Sequence, residues 1–388
     1  MGSMKAAVLI EPGKIEIRDV PSPSPRNGEV LVKVREAGIC GTDFAKYRGD
    51  LGGNFPVIAG HEAVGEIVAL GPGVTEIRIG ERVAIQPNFA CGECETCLSG
   101  RGNICPQRVR LGLDVDGVFA EYVTAPQNYV WVLPEGLSYS DAALTEPLSV
   151  ALHGFQKSPA AAGDRVLVYG AGTIGLFYVQ LAVLAKARVT ALDIAEPRLD
   201  VARKLGASRT FSSGAQLEAG REDFTAVYET SGTADALADI VKWCAPGGRI
   251  LLTGLPEKAS SVPTALITRK ELLLQGAMIY RDEFRTALDL LKKGVIRSDL
   301  FITNIYPLEK LPEALADFRS PIRVKDLIRI SIIGNCDPRP ERGHLNKPNK
   351  TFFQATTKKK VEARMKKNDI LAKFPPGAAG EHNTSGIS

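Results

Sequence analysis

Several features that mark particular classes of protein are missing from this chain of 388 residues. No run of about 18 apolar residues is present, so the sequence predicts no membrane-spanning helix. The net charge is only +4, which is too small to indicate a nucleic-acid-binding protein. There is no internal repeat, and residues 1–4 are too short and polar for a signal peptide and resemble a cloning remnant. What remains is a globular chain long enough for two domains.

The small net charge is unevenly distributed along the chain. Residues 1–330 contain 37 Lys and Arg against 39 Asp and Glu, whereas residues 331–388 contain 11 against 5. The second range is also rich in Lys, Pro, Asn and Gly, a composition typical of disordered extensions. We therefore predict a basic, disordered tail over residues 331–388. The alternatives are a partner-binding helix at 361–372 and a frame-shifted or vector-derived end.

Four of the seven cysteines, Cys91, Cys94, Cys97 and Cys105, lie within fifteen residues. An odd total with this tight spacing is typical of metal thiolates in a reducing compartment rather than of a disulfide framework. Four thiolates form a closed structural zinc site. We predict a zinc lobe over residues 86–110 and a cytoplasmic protein. Four unrelated buried thiols, or a zinc module that binds nucleic acid, are the weaker alternatives.

The order of the predicted elements indicates a two-part chain. Apolar alternation over 4–35 predicts strands of an antiparallel sheet, and further strands are predicted at 63–70, 82–85, 119–124 and 129–133. A helix is predicted from residue 140 towards 155. Beyond it, strands and helices alternate, which predicts a parallel sheet covered by helices on both faces.

A glycine-rich motif, Gly-Ala-Gly-Thr-Ile-Gly at 170–175, directly follows a buried strand and opens a helix. Gly170 permits a tight turn, Gly172 lets a pyrophosphate approach the helix N-terminus, and Gly175 permits close packing of helix and strand. Asp193, after the next strand, can accept hydrogen bonds from the ribose hydroxyls of NAD and would repel the 2′-phosphate of NADP. The pattern predicts a Rossmann domain that binds NAD.

Other candidate cofactor-binding residues lie in the same motif and at the ends of later elements. Arg198 is predicted either to stack on the adenine or to be a surface charge of a helix. By itself, Asp193 is also compatible with a turn or cap residue. The remaining candidates are Thr173, Ile174, Thr253, Gly254 and Leu255.

A second set of metal-competent residues is dispersed through the sequence. Cys40 lies in a Gly-flanked loop, His61 and Glu62 follow Gly60 at the end of an apolar run, and Glu146 lies much later. Thiolate, imidazole and carboxylate groups bind zinc, and such a set can leave a position open for substrate. Glycine permits the turn that adjacent side chains need in order to reach one ion. We therefore predict a second, open zinc site.

Taken in order, these motifs resemble the zinc-dependent medium-chain dehydrogenase superfamily, closest to its sorbitol, threonine and glucose dehydrogenase branch. The resemblance covers about residues 4–330 and rests on C-G-T-D at 40–43, G-H-E at 60–62, the cysteine lobe, T-E-P-L-S-V-A-L-H-G at 145–154 and the glycine motif. It implies an α/β architecture, with a GroES-like catalytic domain, a Rossmann domain and a return to the catalytic domain. The implied limits are 4–150, 151–280 and 281–330.

The resemblance also implies a function and its cofactors. One catalytic and one structural zinc per chain, NAD, and a homodimer or homotetramer are expected. The implied reaction is oxidation of a secondary alcohol of a polyol, sugar or related small molecule to a carbonyl, with hydride transfer to NAD. L-threonine 3-dehydrogenase and glucose 1-dehydrogenase activities are alternatives. A catalytically silent NAD-binding protein is a third, less favoured one.

Roles for individual residues follow from the same resemblance. Cys40, His61 and a glutamate, Glu62 or Glu146, are expected to bind the catalytic zinc, and the two glutamates to exchange during turnover. Thr42 is expected to pass on the substrate proton. The alcohol dehydrogenases of the family have a histidine where Ala45 stands here, so a water route past Glu146 is expected instead. The candidate pocket residues are Tyr47, Phe119, Tyr280 and Arg281, with Arg281 alternatively on the surface and His153 expected in the core.

Overall fold

The computed structural model describes residues 2–219 and 223–330 of the chain. The predicted tail, residues 331–388, lies outside the described residues, so its disorder and its alternatives stay predictions. Within the described ranges, every helix is too short or too polar to cross a bilayer.

Residues up to 138 form mainly short strands, as the apolar alternation predicts. The elements are β1 Ser3–Glu11, β2 Lys14–Pro21, β3 Glu29–Gly38, α1 Gly41–Arg48, β4 Val57–Ile58, β5 Glu62–Leu70, β6 Arg82–Ile85, β7 Asn88–Phe89, α2 Glu95–Leu98, β8 Val109–Arg110, β9 Tyr122–Pro126 and β10 Val130–Val132. The prediction of one antiparallel sheet over residues 4–35 is only partly correct. Strands β1 and β2 pair antiparallel, and β1 pairs on its other side with β4, whereas β3 belongs to a different sheet.

The alternating part of the chain follows. Its elements are α3 Tyr139–Ala142, α4 Thr145–Lys157, β11 Arg165–Tyr169, α5 Thr173–Leu184, β12 Arg188–Leu192, α6 Glu196–Lys204, β13 Arg209–Phe211, α7 Gly214–Ala219, β14 Phe224–Glu229, α8 Ala236–Trp243, β15 Cys244–Leu252, α9 Thr264–Lys270, β16 Leu273–Gly276, α10 Glu283–Lys292, β17 Ile302–Pro307, α11 Leu311–Ala316 and β18 Lys325–Arg329. Single-turn 3₁₀ helices lie at Gly102–Ile104, Gln127–Tyr129, Ser298–Leu300 and Leu308–Lys310.

The predicted parallel sheet is confirmed. Its six strands run in the order β13-β12-β11-β14-β15-β16, and every pairing is parallel. Numbered from the first strand, this order is 3-2-1-4-5-6, the order of dinucleotide-binding sheets. In such sheets the carboxyl ends of the strands carry the ligand site, so the glycine motif after β11 and Asp193 after β12 share the binding edge.

The chain then returns to the N-terminal part. Strand β18 pairs antiparallel with β3, and Leu327 lies opposite Gly38. The sheet formed there has the order β10-β6-β5-β3-β18-β17, with β9 also paired to β3. Its inner face joins Val30, Val32 and Val34 to Leu311 and Ile328 in one buried core. This return brings β18 beside the end of β3, immediately before Cys40.

The predicted helix from residue 140 towards 155 is broken into α3 and α4. Pro147 has no backbone N–H, and its ring would clash with a continuous helix one turn earlier, so it is tolerated only in a first turn. Helix α4 begins at Thr145 and places Pro147 in that first turn. The predicted domain limits stay predictions. Helix α4 runs across the limit predicted at residue 150, and it packs against both α5 and α10.

Candidate active site

The four cysteines of the lobe converge as their spacing predicts. Neighbouring Sγ atoms are separated by 3.5 Å (Cys94–Cys97), 3.6 Å (Cys91–Cys105), 3.8 Å (Cys91–Cys97) and 3.9 Å (Cys94–Cys105). Zinc–sulfur bonds of about 2.3 Å in a tetrahedron place the sulfurs about 3.8 Å apart. The donor set therefore fits a closed zinc site.

The ionisation of the lobe cysteines also fits a cation. Backbone N–H groups of Glu93 and Cys94 donate to the Cys91 thiolate and lower its pKa to about 7. The pKa of Cys97 is instead raised to about 12, first by burial and then by hydrogen bonds with the neighbouring sulfurs. Four close thiolates cannot all carry charge without a counter-ion, and zinc supplies one.

A second group of ligand atoms is assembled from Cys40, His61 and Glu62, whose sulfur, nitrogen and oxygen lie within 4.8 Å of one another. Cys40 caps helix α1, and Glu62 begins strand β5. The predicted turn at Gly60 is confirmed by its φ of 91°, and a Cβ there would come within 2.7 Å of the Phe119 ring. The turn lets the adjacent His61 and Glu62 approach the same point.

His61 is oriented by a carboxylate that the sequence analysis did not single out. Its Nδ1 lies 3.0 Å from Asp43 Oδ1, while Asp43 Oδ2 accepts a hydrogen bond of 2.8 Å from the Cys40 backbone N–H. With Nδ1–H donating to Asp43, Nε2 remains available as a ligand. Burial alone would lower the pKa of His61, but Asp43 and Cys40 raise it well above its usual range. Metal binding therefore has to displace a proton from this ring.

Glu62 is buried beside a lysine from the returning strand. Lys325 Nζ forms an ion pair with Glu62 Oε2 and also donates to the Ile39 carbonyl over 3.0 Å. Within the described ranges, Glu62 Oε1 is buried and accepts no hydrogen bond. A buried carboxylate oxygen without a donor is costly, and a cation at the group of three would satisfy it.

Glu146 lies near this group but outside it. It is buried in the first turn of α4, and its pKa is raised to about 7, first by burial and then by the charge of Glu62. It hydrogen-bonds Tyr280, whose hydroxyl also accepts a bond of 2.7 Å from Asn88 Nδ2. Its role as a direct zinc ligand stays a prediction, while its position suits a group that holds a proton beside the site.

The glycine motif has the shape that a pyrophosphate requires. Gly170 has a φ of 99°, and a Cβ on Gly175 would collide with the Gly170 carbonyl. Gly172 caps helix α5, and apart from its chain neighbours no described residue has an atom within 4 Å of the place where its Cβ would be. Open space beside the N-terminus of a twelve-residue helix fits an anionic diphosphate.

Asp193 stands at the expected edge and holds the loop together. Its oxygens accept hydrogen bonds from the backbone N–H of Ala171, over 2.7 Å, and of Ala195, over 2.8 Å. Arg198 lies 3.9 Å from Asp193 and donates to the carbonyls of Arg323 and Ser320. Arg198 is therefore not a solvated surface charge. Its hydrogen bonds join the nucleotide-binding edge to the segment before β18.

The other candidate residues differ in whether their side chains are held by hydrogen bonds. Thr173 Oγ1 donates to the Val324 carbonyl, and Thr253 Oγ1 lies 2.9 Å from the Tyr178 hydroxyl, whereas Leu255 is exposed. Gly254 follows β15 at the binding edge and Ile174 lies in the first turn of α5. Thr42 lies in the first turn of α1.

The candidates for the substrate pocket differ in burial and in their contact with the site. Phe119 is fully buried, and the half-buried Tyr47 packs against the same core. Arg281 is exposed and donates to the Gly100 carbonyl of the cysteine lobe. Tyr280 alone contacts a group of the site, through Glu146. His153 is buried, with Nδ1 2.9 Å from Glu283, in agreement with the core position expected for it.

Sequence reasoning missed Asp43 and Lys325. Asp43 had a local signal, because an acid three residues after Cys40 can close a capping box at the start of α1. Lys325 had none, since only the pairing of β18 with β3 brings it to Glu62.

Comparison with known proteins agrees with this architecture. Residues 26–135 match the alcohol dehydrogenase GroES-like domain, and residues 173–293 match the zinc-binding dehydrogenase family. An L-threonine 3-dehydrogenase of Streptomyces coelicolor is 38% identical over 335 residues, which cover 82% of this chain and 96% of that protein. A sorbitol dehydrogenase of Bacillus subtilis is 33% identical over 329 residues, which cover 81% of this chain and 93% of that protein.

Solved structures give the same result. A crystal structure described as a short chain alcohol dehydrogenase from E. coli, complexed with NADH, is 32% identical and superposes with a TM-score of 0.81. The superposition covers 84% of this chain and 99% of that one. With both family domains matched, and relatives aligned over most of their length, the chain belongs to the zinc-dependent medium-chain dehydrogenase superfamily.

Proposed function

We propose that this protein oxidises a secondary alcohol of a polyol, sugar or related small molecule to a carbonyl, with zinc-dependent hydride transfer to NAD. The observation that carries the proposal is the group of Cys40, His61 and Glu62. His61 and Glu62 are buried, and Glu62 keeps an oxygen for which the described residues supply no hydrogen-bond donor. A zinc ion held by these residues would polarise the substrate oxygen.

The chain connects this group directly to the nucleotide edge. Thr173 of the glycine motif donates to the Val324 carbonyl over 2.6 Å, and the next residue, Lys325, pairs with Glu62. Arg323 donates to the Ile39 carbonyl over 2.7 Å. A single short segment therefore contacts both the dinucleotide loop and the residue before Cys40, which supports transfer between a cofactor and a substrate held at the two places.

The residues around the group have distinct tasks in this proposal. Asp43 fixes the ring of His61, and Lys325 balances the charge of Glu62. Glu146, with a pKa raised to about 7 mainly by burial, can take up and release a proton near neutral pH. This favours a proton route past Glu146, as expected for a chain with Ala45 at the usual histidine position. Thr42 is assigned the first transfer from the substrate hydroxyl.

Metal analysis followed by NAD reduction with polyols, aldoses and L-threonine tests the proposal. We expect two zinc ions per chain and turnover with at least one secondary alcohol of the panel. L-threonine is included because one relative carries that activity in its name. One zinc ion per chain together with no turnover on any alcohol would contradict the proposal and favour a silent NAD-binding protein.

The preference for NAD over NADP is proposed to rest on Asp193. Its charge is placed at the binding edge by two backbone N–H groups. Asp193→Gly should lower the NAD-to-NADP ratio of kcat/KM about tenfold or more, because like charges at close range are strongly disfavoured. Asp193→Asn is the matched control, because it removes the charge but keeps a side-chain oxygen that can accept a hydrogen bond. An unchanged ratio in both variants, or a wild-type preference for NADP, would contradict this role.

We also propose that the protein is a homodimer or homotetramer. Strand β16 is the last strand of the six-stranded sheet, and Leu273 on it is 59% exposed. Exposed apolar edges favour pairing with another chain. Analytical ultracentrifugation should show an oligomer that Leu273→Lys weakens, whereas a wild-type monomer at all concentrations would exclude it.

A further inference from the structure

The connection between β16 and α10, residues 277–282, contains a strained residue. Ile279 has a φ of 42°, in the left-handed region that β-branched side chains strongly disfavour. It directly precedes Tyr280, which is 1% exposed and hydrogen-bonds Glu146. A strained backbone persists only where its surroundings fix it on several sides, and such residues cluster at functional sites. The contacts that hold this connection therefore bear on the position of Glu146.

The cysteine lobe holds the connection on one side. Asn103 donates from Nδ2 to the Met278 carbonyl over 2.9 Å. The Arg281 guanidinium donates to the Gly100 carbonyl over 3.2 Å. Both lobe groups come from the turn between its third and fourth cysteines. The two hydrogen bonds lie on either side of Ile279, so the lobe fixes the strained backbone from both directions along the chain.

The Tyr280 hydroxyl joins the lobe to Glu146. Asn88 begins β7, inside the range predicted for the lobe, and donates from Nδ2 to that hydroxyl over 2.7 Å. Burial and then the charge of Glu146 raise the pKa of Tyr280 well above its usual range, so the phenol keeps its proton. Because the amide of Asn88 is the donor in its own contact, the hydroxyl proton is directed to Glu146.

Helix α4 holds the connection on the opposite side. Glu283, the first residue of α10, accepts a hydrogen bond of 2.5 Å from the Arg281 backbone N–H and lies 2.9 Å from His153 Nδ1. His153 and Glu146 are both on α4, two turns apart. The connection is therefore held between the lobe and α4, and it cannot shift without moving the contact of Tyr280 with Glu146.

Glu146 in turn lies within electrostatic reach of the group of Cys40, His61 and Glu62. The charges of Glu62, His61 and Lys325 all act on its carboxyl. A displaced Glu146 would change the surroundings of a metal ion held by that group. Two remote parts of the chain thus meet at one carboxyl, the cysteine lobe through Tyr280 and the metal group through its charges.

We propose that Asn88 and Asn103 are positioning residues that hold the Tyr280 hydroxyl on Glu146, so that the cysteine lobe sets the geometry beside the catalytic group. The inference rests on the proposed function, because it concerns the acid next to the same site. The lobe then has a second task besides closing its own zinc site. Its hydrogen bonds offset the strain at Ile279, and small misplacements of a group near the reacting atoms cost much of the rate.

The visible absorption of Co²⁺ tests the proposal without turnover. Co²⁺ is placed in the group of Cys40, His61 and Glu62 while the lobe keeps its zinc, and its bands report on the geometry around the ion. Asn88→Ala and Tyr280→Phe should shift these bands in the same direction and weaken Co²⁺ binding about tenfold, as for other residues that orient metal surroundings.

Leu98→Ala is the matched control for the cobalt experiment, because Leu98 lies in the same lobe and is 76% exposed. It should leave the bands and the affinity unchanged. Asn103→Asp keeps the size of the side chain but loses the donor to the Met278 carbonyl, and it should act like Asn88→Ala. Bands identical to those of the wild type in both asparagine variants would overturn the proposal.

A double-mutant cycle tests whether the lobe acts through Tyr280. Asn88→Ala and Tyr280→Phe should each lower kcat about tenfold. The double variant should be no slower than the slower single variant, because both changes interrupt one chain of contacts. Losses of rate that multiply in the double variant would mean two independent effects and would contradict the proposal.

The same measurements separate this proposal from the proposed function. Alcohol oxidation at the wild-type rate in both asparagine variants would remove the coupling and leave the dehydrogenase. Shifted cobalt bands in a protein that oxidises no alcohol would support the coupling and contradict the proposed function.

Metal content and thermal unfolding provide the control for a purely structural role. Asn88→Asp keeps the volume of the side chain, but its carboxylate can accept the Tyr280 proton in place of Glu146. We expect it to lower kcat at least as much as Asn88→Ala, with two metal ions per chain and an unfolding temperature close to that of the wild type. Loss of the lobe zinc in step with the loss of rate would mean that the asparagines only stabilise the lobe.

Discussion

The two groups of metal-competent residues are assembled in different ways. The cysteine lobe takes its four sulfurs from one stretch of fifteen residues, on short turns and partly exposed elements. The group of Cys40, His61 and Glu62 takes its atoms from the start of α1 and the start of β5, and depends on Lys325 from β18. His61 and Glu62 are buried, and their neighbours are charged.

The cysteine lobe depends on its metal for folding, whereas the group of Cys40, His61 and Glu62 depends on the surrounding fold for its geometry. The lobe has few apolar residues, so zinc has to hold it together. The buried group is positioned by the core of the surrounding sheet, so the fold exists before the metal binds. The lobe has four like ligands, which would close a tetrahedral site, whereas the buried group offers three unlike ligands, which would leave one position of such a site open.

Loss of the structural zinc should have the largest effect. Cys105→Ser removes one sulfur of the lobe, and structural zinc sites contribute on the order of 10 kcal/mol of folding free energy. We expect one zinc ion per chain instead of two and a markedly lower unfolding temperature. Cys244→Ala, at a buried cysteine outside both groups, should keep both ions. Full zinc content in Cys105→Ser would show that the lobe does not depend on its metal.

Cys40→Ser should affect activity rather than folding. Lewis-acid catalysis by a metal contributes several kcal/mol, or roughly three orders of magnitude in rate. We therefore expect loss of one zinc ion, an alcohol oxidation rate lower by about that factor, and an unfolding temperature close to that of the wild type. A strong loss of stability would mean that the fold depends on the metal at the buried group as well as at the lobe.

Asp43→Asn should weaken zinc binding at the buried group by about 10- to 100-fold, as for other partners that orient a metal-binding histidine. Competition with a chelator measures the affinity, and the lobe zinc serves as an internal reference. Asp50→Asn, at an exposed acid near the end of the same helix, is the matched control. Equal loss of zinc from both sites would indicate general unfolding instead.

The smallest effect is expected in the pH dependence of stability when the buried group holds no zinc and the lobe keeps its own. Burial and Glu62 raise the pKa of Glu146 to about 7 from its usual 4.5, so the folded chain retains a proton that the unfolded chain releases. The associated stability is present below about pH 4.5 and is lost as the pH rises through 7. Urea unfolding of Cys40→Ser, which is expected to lack the zinc of the buried group and to keep the lobe zinc, should show this decline, with a smaller one when Glu146→Gln is added. Identical slopes would contradict the raised pKa.

Much of the fold could be predicted because its signals are local. The strand predicted at 82–85 matches β6 to the residue, and the strand predicted at 63–70 differs from β5 by one residue at its start. Strands β13, β16 and β17 were not predicted, since they are short or half exposed and show no clear alternation. Strand β3 was placed in the wrong sheet, because pairing partners are chosen by tertiary packing.

The sequence by itself determined the cysteine lobe and the glycine motif, because each depends on spacing over a few residues. It also supplied the residue types of the buried metal group, although these are dispersed along the chain. Only the tertiary structure decided which charges surround that group. Lys325 reaches Glu62 through the pairing of β18 with β3, and Glu146 of α4 is buried so close that the charge of Glu62 raises its pKa. Burial and charge balance arise from contacts between remote segments, and no local pattern records them.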